Sequence, residues 1–587
     1  MNRIANDFTW KIGGQAGFGV MATGASLAKI CVRAGLYIWD YSEYPSLIHG
    51  GHNTYQLYAA AREMAAPRYS IDLLVALNKE TIDRHLGEMS PHGLIMYDQS
   101  DQTLQDWVPP KDQRQTVWLG LPLDTLARQA GGSKLMRNTV ALGATIALLS
   151  LDFEFPSKVV SETFRHKGPE VVTLNAAVLQ AGYQAIRPIQ ATTFPWDIVP
   201  QPRPRPLALV SGNEAIGLGA LQAGCSFYAA YPMTPSSTLL HFMAEHGPGY
   251  GTVVRHAEDE IGVVNETIGA AYAGVRAMCA TAGGGFALMT EAIGLAGMTE
   301  VGIVVVEAQR GGPSTGLPTW TEQADLRQVL HAGQGDFLKI VLAPADQVDC
   351  WRLTQLAFSL ADEWQTPVII MTDKYLAEGH AAVDLLSETT LPVQRGHIIR
   401  PAEPPPGGMY PRYRTDTKNG VSPRPLPGTP HGMFLANSDE HDQFGISNED
   451  IDVRQAQMAK RARKADAVAR ILPTPTLVGP AKADVTVVSW GSSIGPVKEA
   501  MALLNQAHRL RINLLPLTVI NPLPVEHIQK LLQDAVMTIM VEGNQSGQMA
   551  GWIREQTGVM MDHHIRRFDG RPFDPRHLAE QIRALTQ

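Results

Sequence analysis

The sequence predicts an α/β protein of three domains, each built on a mostly parallel sheet covered by helices. Strand-like apolar runs alternate with helix-like segments along three separate stretches of the chain, and such alternation is typical of parallel sheets. The chain has 587 residues, and roughly 100–200 residues per domain allow three or four domains. Hydrophobic residues make up 44% and charged residues 18% of the chain, which is ordinary for a globular protein with sizeable cores.

The first predicted domain spans residues 1–190. The strand-like run DFTWKIGG precedes the helix-like segment QAGFGVMATGASLAKICVRAG, and LYIWDYSEYP follows as a second strand. The alternation continues through IDLLVALN and HGLIMYDQ. Residues 191–206 are then a proline-rich linker without hydrophobic periodicity, which we expect to run extended.

The second and third predicted domains span residues 207–395 and 466–587, and both return to strand–helix alternation. Residues 396–465 differ from both, because they are rich in Pro, Gly and Arg and end in the basic helix-like stretch RQAQMAKRARKADAVARI. We expect an extended arm or lid that lies over other domains, with disorder as the alternative that its aromatic residues weaken.

Charge and cysteine content exclude several classes of protein. The net charge of −8 at pH 7 gives no pull toward nucleic acid or an anionic membrane. No stretch approaches the roughly 18 apolar residues of a membrane-spanning helix, and the N-terminus lacks a signal-peptide core, so we expect a cytoplasmic protein. Cys31, Cys225, Cys279 and Cys350 are far apart, which favours reduced core thiols over a local iron–sulfur cluster.

A glycine-rich turn opens the first domain. In KIGGQAGFGV, glycines between a strand and a helix would let a phosphate approach exposed N–H groups. A dinucleotide site with Asp40 as the ribose-binding acid is one interpretation. The G-x-x-G-x-G spacing departs from the G-x-G-x-x-G fingerprint, however, and a tight turn without a ligand is as consistent with the pattern.

Two loops of the second domain carry polar groups at strand ends. In YPMTPSSTLL, Thr234 lies between Pro232 and Pro235, which indicates a hydroxyl positioned for a ligand, whereas Ser236 or Ser237 can cap the next helix. In VVVEAQRGGPSTGLPTWTEQADL, an arginine follows the strand directly. Ligands of open parallel sheets bind at this end of the strands, and an arginine there could grip a carboxylate with two hydrogen bonds.

Two further segments of this domain suggest a site. TAGGGFALMTEAIG has Gly283, Gly284 and Gly285 before a helix, which suits either a flat or anionic ligand or a crowded helix–sheet contact. In RHAEDEIGVVNETIGAAYAG, three acids precede a run of small and apolar residues. Such a run indicates a buried helix, so a carboxylate would enter its start.

These motifs together resemble the 2-oxoacid:ferredoxin oxidoreductases, specifically the α subunit with a fused γ domain, of the 2-oxoglutarate type. The resemblance covers nearly the whole chain. GGQAGFGV with YPSLIHGGHN is similar to the γ domain, and YPMTPSST, HAEDEIGVVNETIGAAYAG and QRGGPSTGLPT are similar to the pyrimidine-binding domain of thiamine diphosphate. YRTDTKNGVSPRPLPGTPHG is similar to the intervening arm and VEGNQSGQ to a transketolase-C-terminal-like domain. One departure is TAGGGF, where the family has proline in the middle.

The resemblance implies an enzyme whose thiamine diphosphate lies between two chains. This chain would hold the aminopyrimidine, while a partner β chain would bind the diphosphate and Mg²⁺ and carry a [4Fe–4S] cluster; no GDG…N motif is present here. The implied reaction is the CoA-dependent oxidative decarboxylation of 2-oxoglutarate to succinyl-CoA, with electrons passed to ferredoxin. An (αβ)₂ heterotetramer is the family expectation.

The resemblance also implies roles for residues. Glu260 would be the catalytic carboxylate that hydrogen-bonds N1′ of the aminopyrimidine, with Glu258 and Asp259 as solvated acids at the helix cap. Thr234 would contact the oxoacid or the cofactor, and Arg310 would recognise the substrate.

Further residues complete the implied site. Thr319 would join in substrate recognition, and Tyr231, Pro232 and Gly284 would contact the cofactor. Residues that bind CoA are not placed.

Three alternatives stay open. The same class of enzyme could act on a branched-chain 2-oxoacid or on pyruvate, since every 2-oxoacid has the carboxylate that an arginine would bind. A nucleotide-binding regulatory or electron-transfer subunit is an alternative of another class, and a degenerate thiamine fold kept for assembly is a third. The physiological direction, oxidation or CO₂ fixation, is also open.

Overall fold

The structure is a computed structural model that describes the chain except residues 1–2, 48–49, 105–106, 111–113, 189–193, 386–388, 406 and 508–509. It divides into two compact units, Met1–Val210 with Gly379–Glu388 and Ser211–Glu378 with Thr389–Gln587. The predicted boundary at residue 190 lies outside the described residues. The short segment from Gly379, which we placed in the 207–395 domain, belongs with the first unit, whereas the second unit contains both the second and the third predicted domains.

The described residues form strands that alternate with helices along both units. The strands are β1 (Ile4–Ala5), β2 (Asp7–Gln15), β3 (Tyr37–Glu43), β4 (His52–Ala60), β5 (Ile71–Ala76), β6 (Met89–Asp98), β7 (Val117–Leu121), β8 (Trp196–Asp197), β9 (Ala208–Ser211), β10 (Cys225–Ala230), β11 (Val253–His256), β12 (Arg276–Thr281), β13 (Val304–Gln309), β14 (Ile340–Leu342), β15 (Val368–Asp373), β16 (His380–Val383), β17 (Val485–Trp490), β18 (Ile512–Leu517), β19 (Val519–Asn521), β20 (Thr538–Glu542) and β21 (His563–Arg566).

The helices are α1 (Val20–Arg33), α2 (Lys79–His85), α3 (Leu123–Gln129), α4 (Arg137–Leu148), α5 (Glu154–Phe164), α6 (Pro169–Ile186), α7 (Gly212–Gln222), α8 (Ser237–His246), α9 (Glu260–Ala273), α10 (Gly283–Met298), α11 (Leu326–Leu330), α12 (Gln347–Trp364), α13 (Lys374–Glu378), α14 (Ile451–Ala469), α15 (Ile494–Ala507), α16 (Val525–Gln533), α17 (Gln548–Thr557) and α18 (Pro575–Leu585). Among the described residues, none of these helices is both long and apolar enough to cross a membrane.

The first unit contains an eight-stranded sheet in the order β7-β6-β5-β2-β4-β3-β16-β9. Its β7-β6-β5-β2 half is parallel, but β4 pairs antiparallel with both β2 and β3. The sheet is therefore mixed, where the alternation predicted a mostly parallel one. The cause is the short connection formed by residues 44–51, because a parallel return needs a crossover of a dozen or more residues.

Fewer glycines form the turn before α1 than the glycine-rich sequence indicates. Gly13 and Gly14 lie inside β2, opposite β4, and only Gly17 and Gly19 adopt the positive φ angles that form the turn into α1. Asp40 is buried, and its carboxylate accepts a 2.7 Å hydrogen bond from the backbone N–H of His380. Asp40 is thus a structural residue of this sheet, which contradicts its interpretation as a ribose-binding acid.

The second unit contains two sheets. A seven-stranded sheet has the order β11-β10-β12-β13-β15-β14-β19 and is parallel except for the β14–β19 pair. A four-stranded sheet has the order β18-β17-β20-β21 and is parallel throughout. The central strands of both are buried over their full length, as near-continuous apolar runs between covering helices require.

The predicted arm is ordered irregular chain that packs on the second unit. Tyr413 is fully buried, and Arg412 donates a 2.9 Å hydrogen bond to the carbonyl of Glu300. Arg424 and Arg276 both pair with Asp362. This arginine network anchors the arm and removes the disorder alternative.

The basic stretch at the end of the arm is α14, and most of its basic side chains are buried or half-buried. Lys460 and Lys464 are buried, and both pair with the buried carboxylate of Glu300. Burial alone would raise the pKa of Glu300, but the two lysines lower it well below its usual range. Burial lowers the pKa of Lys460 to about 7. The basic composition of this helix therefore serves packing rather than a solvent-exposed basic face.

The four cysteines are confirmed as core thiols. Cys31, Cys225, Cys279 and Cys350 are all free and buried. Burial raises the pKa of each thiol, to about 12 for Cys225 and Cys279.

Candidate functional site

Four of the singled-out segments meet at one edge of the seven-stranded sheet. The YPMTPSS loop follows β10, the acidic helix follows β11, the triple glycine follows β12 and the arginine loop follows β13. These strands are neighbours in the order β11-β10-β12-β13 and run parallel, so their carboxyl ends lie side by side. This is the edge at which open α/β sheets bind ligands.

The three consecutive acids at the start of α9 lie in different environments, as expected. Asp259 is the N-cap and accepts a 2.7 Å hydrogen bond from the N–H of Gly262, and Glu258 is exposed beside it. Glu260 is the first residue of the helix and is only 4% exposed. No hydrogen-bond donor among the described residues reaches its Oε1 atom. Since an unsatisfied buried carboxylate oxygen costs on the order of 1–3 kcal/mol, this oxygen indicates a donor from a bound group.

Two of the three consecutive glycines leave space for the side chains of Glu260 and Asp325. A Cβ atom on Gly285 would lie 2.7 Å from the Cγ and Oε1 atoms of Glu260, and one on Gly283 would overlap the carboxylate of Asp325. A Cβ on Gly284 would meet nothing within 4 Å. Gly283 and Gly285 are therefore required by crowding, whereas Gly284 leaves open space at the start of α10.

Thr234 and Arg310 lie in contact with each other. The Nη1 atom of Arg310 donates a 2.7 Å hydrogen bond to the carbonyl of Thr234, while its buried Nε has no acceptor among the described residues. Partial burial lowers the pKa of Arg310, and Asp325 opposes that shift. Ser236 occupies the N-cap position of α8, but its hydroxyl donates back to the carbonyl of Met233 at 2.7 Å and does not cap the helix.

The remaining predicted site residues lie in different environments. Tyr231 is 37% exposed, with its ring centroid 6.4 Å from that of His256, and Pro232 is exposed beside it. Thr319 is buried at 4% exposure and does not line the cavity described next. Its role in substrate recognition stays a prediction.

A cavity of about 670 Å³ opens beside Arg310. Gly283, Gly284 and Asp325 line one side of it, and Asn544 and Gln548 of the C-terminal segment line another. The amide side chains from VEGNQSGQ were not singled out as site residues in the sequence. Their proximity depends on the packing of the four-stranded sheet against the seven-stranded one, which no local pattern records.

A buried carboxyl pair beneath this cavity was also missed. Glu307 is fully buried on β13, and both burial and neighbouring Asp325 raise its pKa well above the usual range. Burial raises the pKa of Asp325 as well, while a hydrogen bond from Glu307 and the charge of Arg310 oppose that rise. Burial and the neighbouring carboxyl group therefore both favour the protonated form of Glu307. The EQAD string after the arginine loop was the available signal.

A third acid borders the same cavity. Glu322 is half-buried, and burial, followed by the charges of Asp325 and Asp569, raises its pKa to about 7. A carboxyl group with this pKa exchanges protons readily near neutral pH. The cavity thus combines one arginine, three carboxyl groups in or beneath its wall, and several side-chain amides.

Comparison with known proteins gives a consistent result. Residues 218–460 match the thiamine diphosphate-binding family of pyruvate flavodoxin/ferredoxin oxidoreductases, and residues 9–185 match the pyruvate ferredoxin/flavodoxin oxidoreductase family. Subunit alpha of 2-oxoacid:ferredoxin oxidoreductase 2 from Aeropyrum pernix is 30% identical over 99% of this chain and 98% of its own. The 2-oxoglutarate oxidoreductase subunit KorA of Mycobacterium tuberculosis is 28% identical over 84% of this chain and 78% of its own.

A solved structure agrees with these relatives. The 2-oxoglutarate:ferredoxin oxidoreductase of Magnetococcus marinus, with 2-oxoglutarate, coenzyme A and succinyl-CoA bound, matches with a TM-score of 0.91 and 30% identity over 99% of this chain and 100% of that chain. Similarity at this level along nearly the full length of the chain confirms the α/β fold and the thiamine diphosphate-binding domain. The chain belongs to the 2-oxoacid:ferredoxin oxidoreductases, of which it is an α subunit.

Proposed function

We propose that the chain is the α subunit of a 2-oxoglutarate:ferredoxin oxidoreductase. The complex would convert 2-oxoglutarate and CoA to succinyl-CoA and CO₂ and pass the electrons to ferredoxin. The substrate assignment is supported by the Magnetococcus marinus enzyme, with which the chain shares its fold over 99% of its length. The observation that carries the catalytic part is the buried Oε1 atom of Glu260, which lies beside the open start of α10 and receives no hydrogen bond from the residues that the structure describes.

The residues at this edge fit the aminopyrimidine of thiamine diphosphate. Glu260 would accept a hydrogen bond from N1′ and hold the proton that this atom exchanges, and Gly284 leaves space for a ring where a side chain would intrude. Tyr231 and Pro232, exposed on the neighbouring loop, would pack on the cofactor. When bound, the cofactor supplies the carbanion that 2-oxoacid decarboxylation requires.

Substrate binding would fall to the loops after β10 and β13. The Nε of Arg310, which has no acceptor in the described part of the chain, and its remaining N–H groups would bind the carboxylate next to the 2-oxo group. Thr234, whose carbonyl fixes the guanidinium, would offer its hydroxyl to the oxoacid or the cofactor. Thr319 would act through the loop that it shares with Arg310.

The rest of the enzyme would come from other chains. A β subunit would bind the diphosphate and Mg²⁺ and carry the [4Fe–4S] cluster, in an (αβ)₂ assembly that reduces ferredoxin. Relatives whose names describe them as α subunits support the need for a partner. A location in the cytoplasm and a reaction that can also run toward CO₂ fixation, as in a reductive TCA cycle, belong to the same proposal.

A second substrate class has support of its own. Both matching families are named for pyruvate, so the same chemistry on pyruvate or on a branched-chain 2-oxoacid is the alternative. The nucleotide-binding alternative loses support, because Gly13 and Gly14 lie within a strand and Asp40 is engaged by His380.

The test is anaerobic dye reduction by this chain co-purified with its β partner. CoA would be supplied, and 2-oxoglutarate, pyruvate and 2-oxoisovalerate compared. Fast CoA-dependent reduction with 2-oxoglutarate alone is the expected result. Fast reduction with another 2-oxoacid would keep the reaction and change the substrate, and no reduction by a complex with intact cluster and thiamine diphosphate would overturn the proposal.

A further inference from the structure

The four-stranded sheet of the C-terminal segment has the form of a ligand-binding sheet. Its order is β18-β17-β20-β21, so the chain continues outward from β17 on one side and from β20 on the other. The switch point therefore lies between the carboxyl ends of β17 and β20, where Trp490 and Glu542 end their strands. In open parallel sheets this crevice is the usual place for a ligand.

A glutamine from the arginine loop fills this crevice. The Oε1 atom of Gln323 accepts hydrogen bonds from Ser493 Oγ at 2.7 Å and from the N–H of Gly543 at 2.8 Å, and its Nε2 donates to the carbonyl of Trp490 at 3.0 Å. Its backbone N–H donates to the Gly543 carbonyl at 2.7 Å, and its carbonyl accepts from Asn544 at 3.0 Å. Loops that follow both strands therefore bind one residue.

The fit leaves no space for another occupant. Gln323 is 3% exposed. A Cβ on Gly491 would lie 3.1 Å from its Nε2 atom, and one on Gly543 would lie 3.1 Å from its Oε1 atom, so both strand ends need glycine to admit it. The adjoining void is about 20 Å³, which is room for about one water molecule.

Gln323 belongs to the segment that carries the substrate-binding groups. Two residues upstream, the Thr321 hydroxyl donates to Asp373 at 3.0 Å, and two residues downstream the Asp325 N–H donates to Gln309 Oε1 at 3.1 Å. The tip of the loop closes back, because the N–H of Gly311 donates to the carbonyl of Trp320 at 3.3 Å. The loop of residues 310–325 is thus fixed at both ends.

We infer that Gln323 is a positioning residue for the reaction: by occupying the switch point of the C-terminal sheet, it holds the loop of residues 310–325 so that Arg310 and Asp325 face the oxoacid. The inference rests on the proposed function. In this inference the C-terminal sheet binds a loop of its own chain at the position where other open parallel sheets bind a ligand. Gln323 itself does not line the cavity beside Arg310.

The first test is Gln323→Ala in the complex with the β subunit. With whichever 2-oxoacid the wild type oxidises, we expect the KM for that acid to rise about tenfold or more, since misplacement of a binding group by about 1 Å costs up to 100-fold. A merely structural loss would lower the active fraction and hence the apparent kcat, but it would leave KM unchanged. The matched control is Gln355→Ala: this glutamine is also buried, and in the described part of the chain its side chain bonds only Trp351 and Leu391.

A second variant covers the case in which Gln323→Ala fails to assemble. In Gln323→Glu a protonated carboxyl group can donate to Trp490 and still accept from Gly543, whereas the ionised form cannot donate. The KM of this variant, as a ratio to wild type at each pH, is therefore expected to rise as the pH increases and the introduced carboxyl group loses its proton. The ratio removes those titrations that the variant and the wild type share, including those of the charged side chains nearby, among them Glu322, Asp373, Glu542, Arg567 and Arg571.

The outcomes separate the two proposals. A wild-type KM in Gln323→Ala, or a ratio near one at every pH for Gln323→Glu, overturns the positioning role while the proposed function stands. A wild-type complex that oxidises no 2-oxoacid overturns both.

Discussion

Replacing Gly285 by alanine tests whether Glu260 is held in place by the start of α10. The new Cβ would lie 2.7 Å from Glu260 Cγ and Oε1 and would also crowd Thr281 Oγ1. Alanine gains about 1 kcal/mol of helix propensity over glycine, while overpacking costs about 1–3 kcal/mol. Because no described residue donates a hydrogen bond to Oε1 of Glu260, this carboxylate can move away, so we expect a net loss of stability of only about 0–2 kcal/mol.

The effect on activity should be much larger than the effect on stability. A carboxylate displaced by about 1 Å can lower the rate about 100-fold, or about 2.7 kcal/mol of activation free energy. Denaturant unfolding of the chain and dye reduction by the αβ complex, with saturating thiamine diphosphate, measure the two quantities. The matched control is Gly269→Ala in α9, where a Cβ meets nothing within 4 Å; it should gain stability and keep its activity. Wild-type turnover in Gly285→Ala would refute the placement of Glu260 at the reaction.

Three further predictions follow from single side chains. Glu260→Gln should lower turnover about 100-fold or more in dye reduction, since general acid–base groups contribute 10²–10⁴ in rate. Arg310→Lys should raise the KM for the oxoacid about tenfold, because an ammonium group cannot reproduce the paired hydrogen bonds of a guanidinium. Glu300→Gln should destabilise the chain by about 3–5 kcal/mol in thermal unfolding near pH 6, because it leaves Lys460 and Lys464 buried without a counter-charge.

The last prediction has a defined pH dependence. Lys460 has a folded-state pKa lowered to about 7 by burial, so above that pH the unfolded chain binds more protons than the folded chain and stability rises with pH. Glu300 opposes the burial that lowers this pKa, so in Glu300→Gln the folded chain should release the Lys460 proton at a lower pH than the wild type does. The penalty should therefore shrink as the pH rises toward about 7 and change little above it. Asp484→Asn, which removes an exposed pair with Arg511, is the control and should change stability little. A Glu300→Gln penalty that stays constant with pH would contradict the buried charge cluster. Near-normal turnover in Glu260→Gln would contradict the proton-transfer role of Glu260, and an unchanged KM in Arg310→Lys would contradict the substrate-binding role of Arg310.

Much of the candidate site could be predicted because it consists of local motifs at strand ends. The loops of Thr234 and Arg310 and the helix of Glu260 follow neighbouring parallel strands, and parallel strands place their carboxyl ends at one edge. The split of the acids before α9 also follows from local rules, since a cap acid remains solvated and the next acid enters an apolar helix. Thr319 shows the limit of this approach, because its burial away from the cavity depends on how its loop folds back.

The sequence by itself determined the α/β class, the order of elements, the edge of the sheet at which the candidate site lies and most of the residues that meet there, because each depends on short-range patterns of apolar residues, glycines and caps. The tertiary structure alone decided the antiparallel half of the first sheet, the burial of Glu307 beside Asp325, and the position of Gln323 between β17 and β20. These features join residues from distant parts of the chain, as with Glu300 and Lys460. Their energies come from burial and long-range electrostatics, which exist only once the chain has folded.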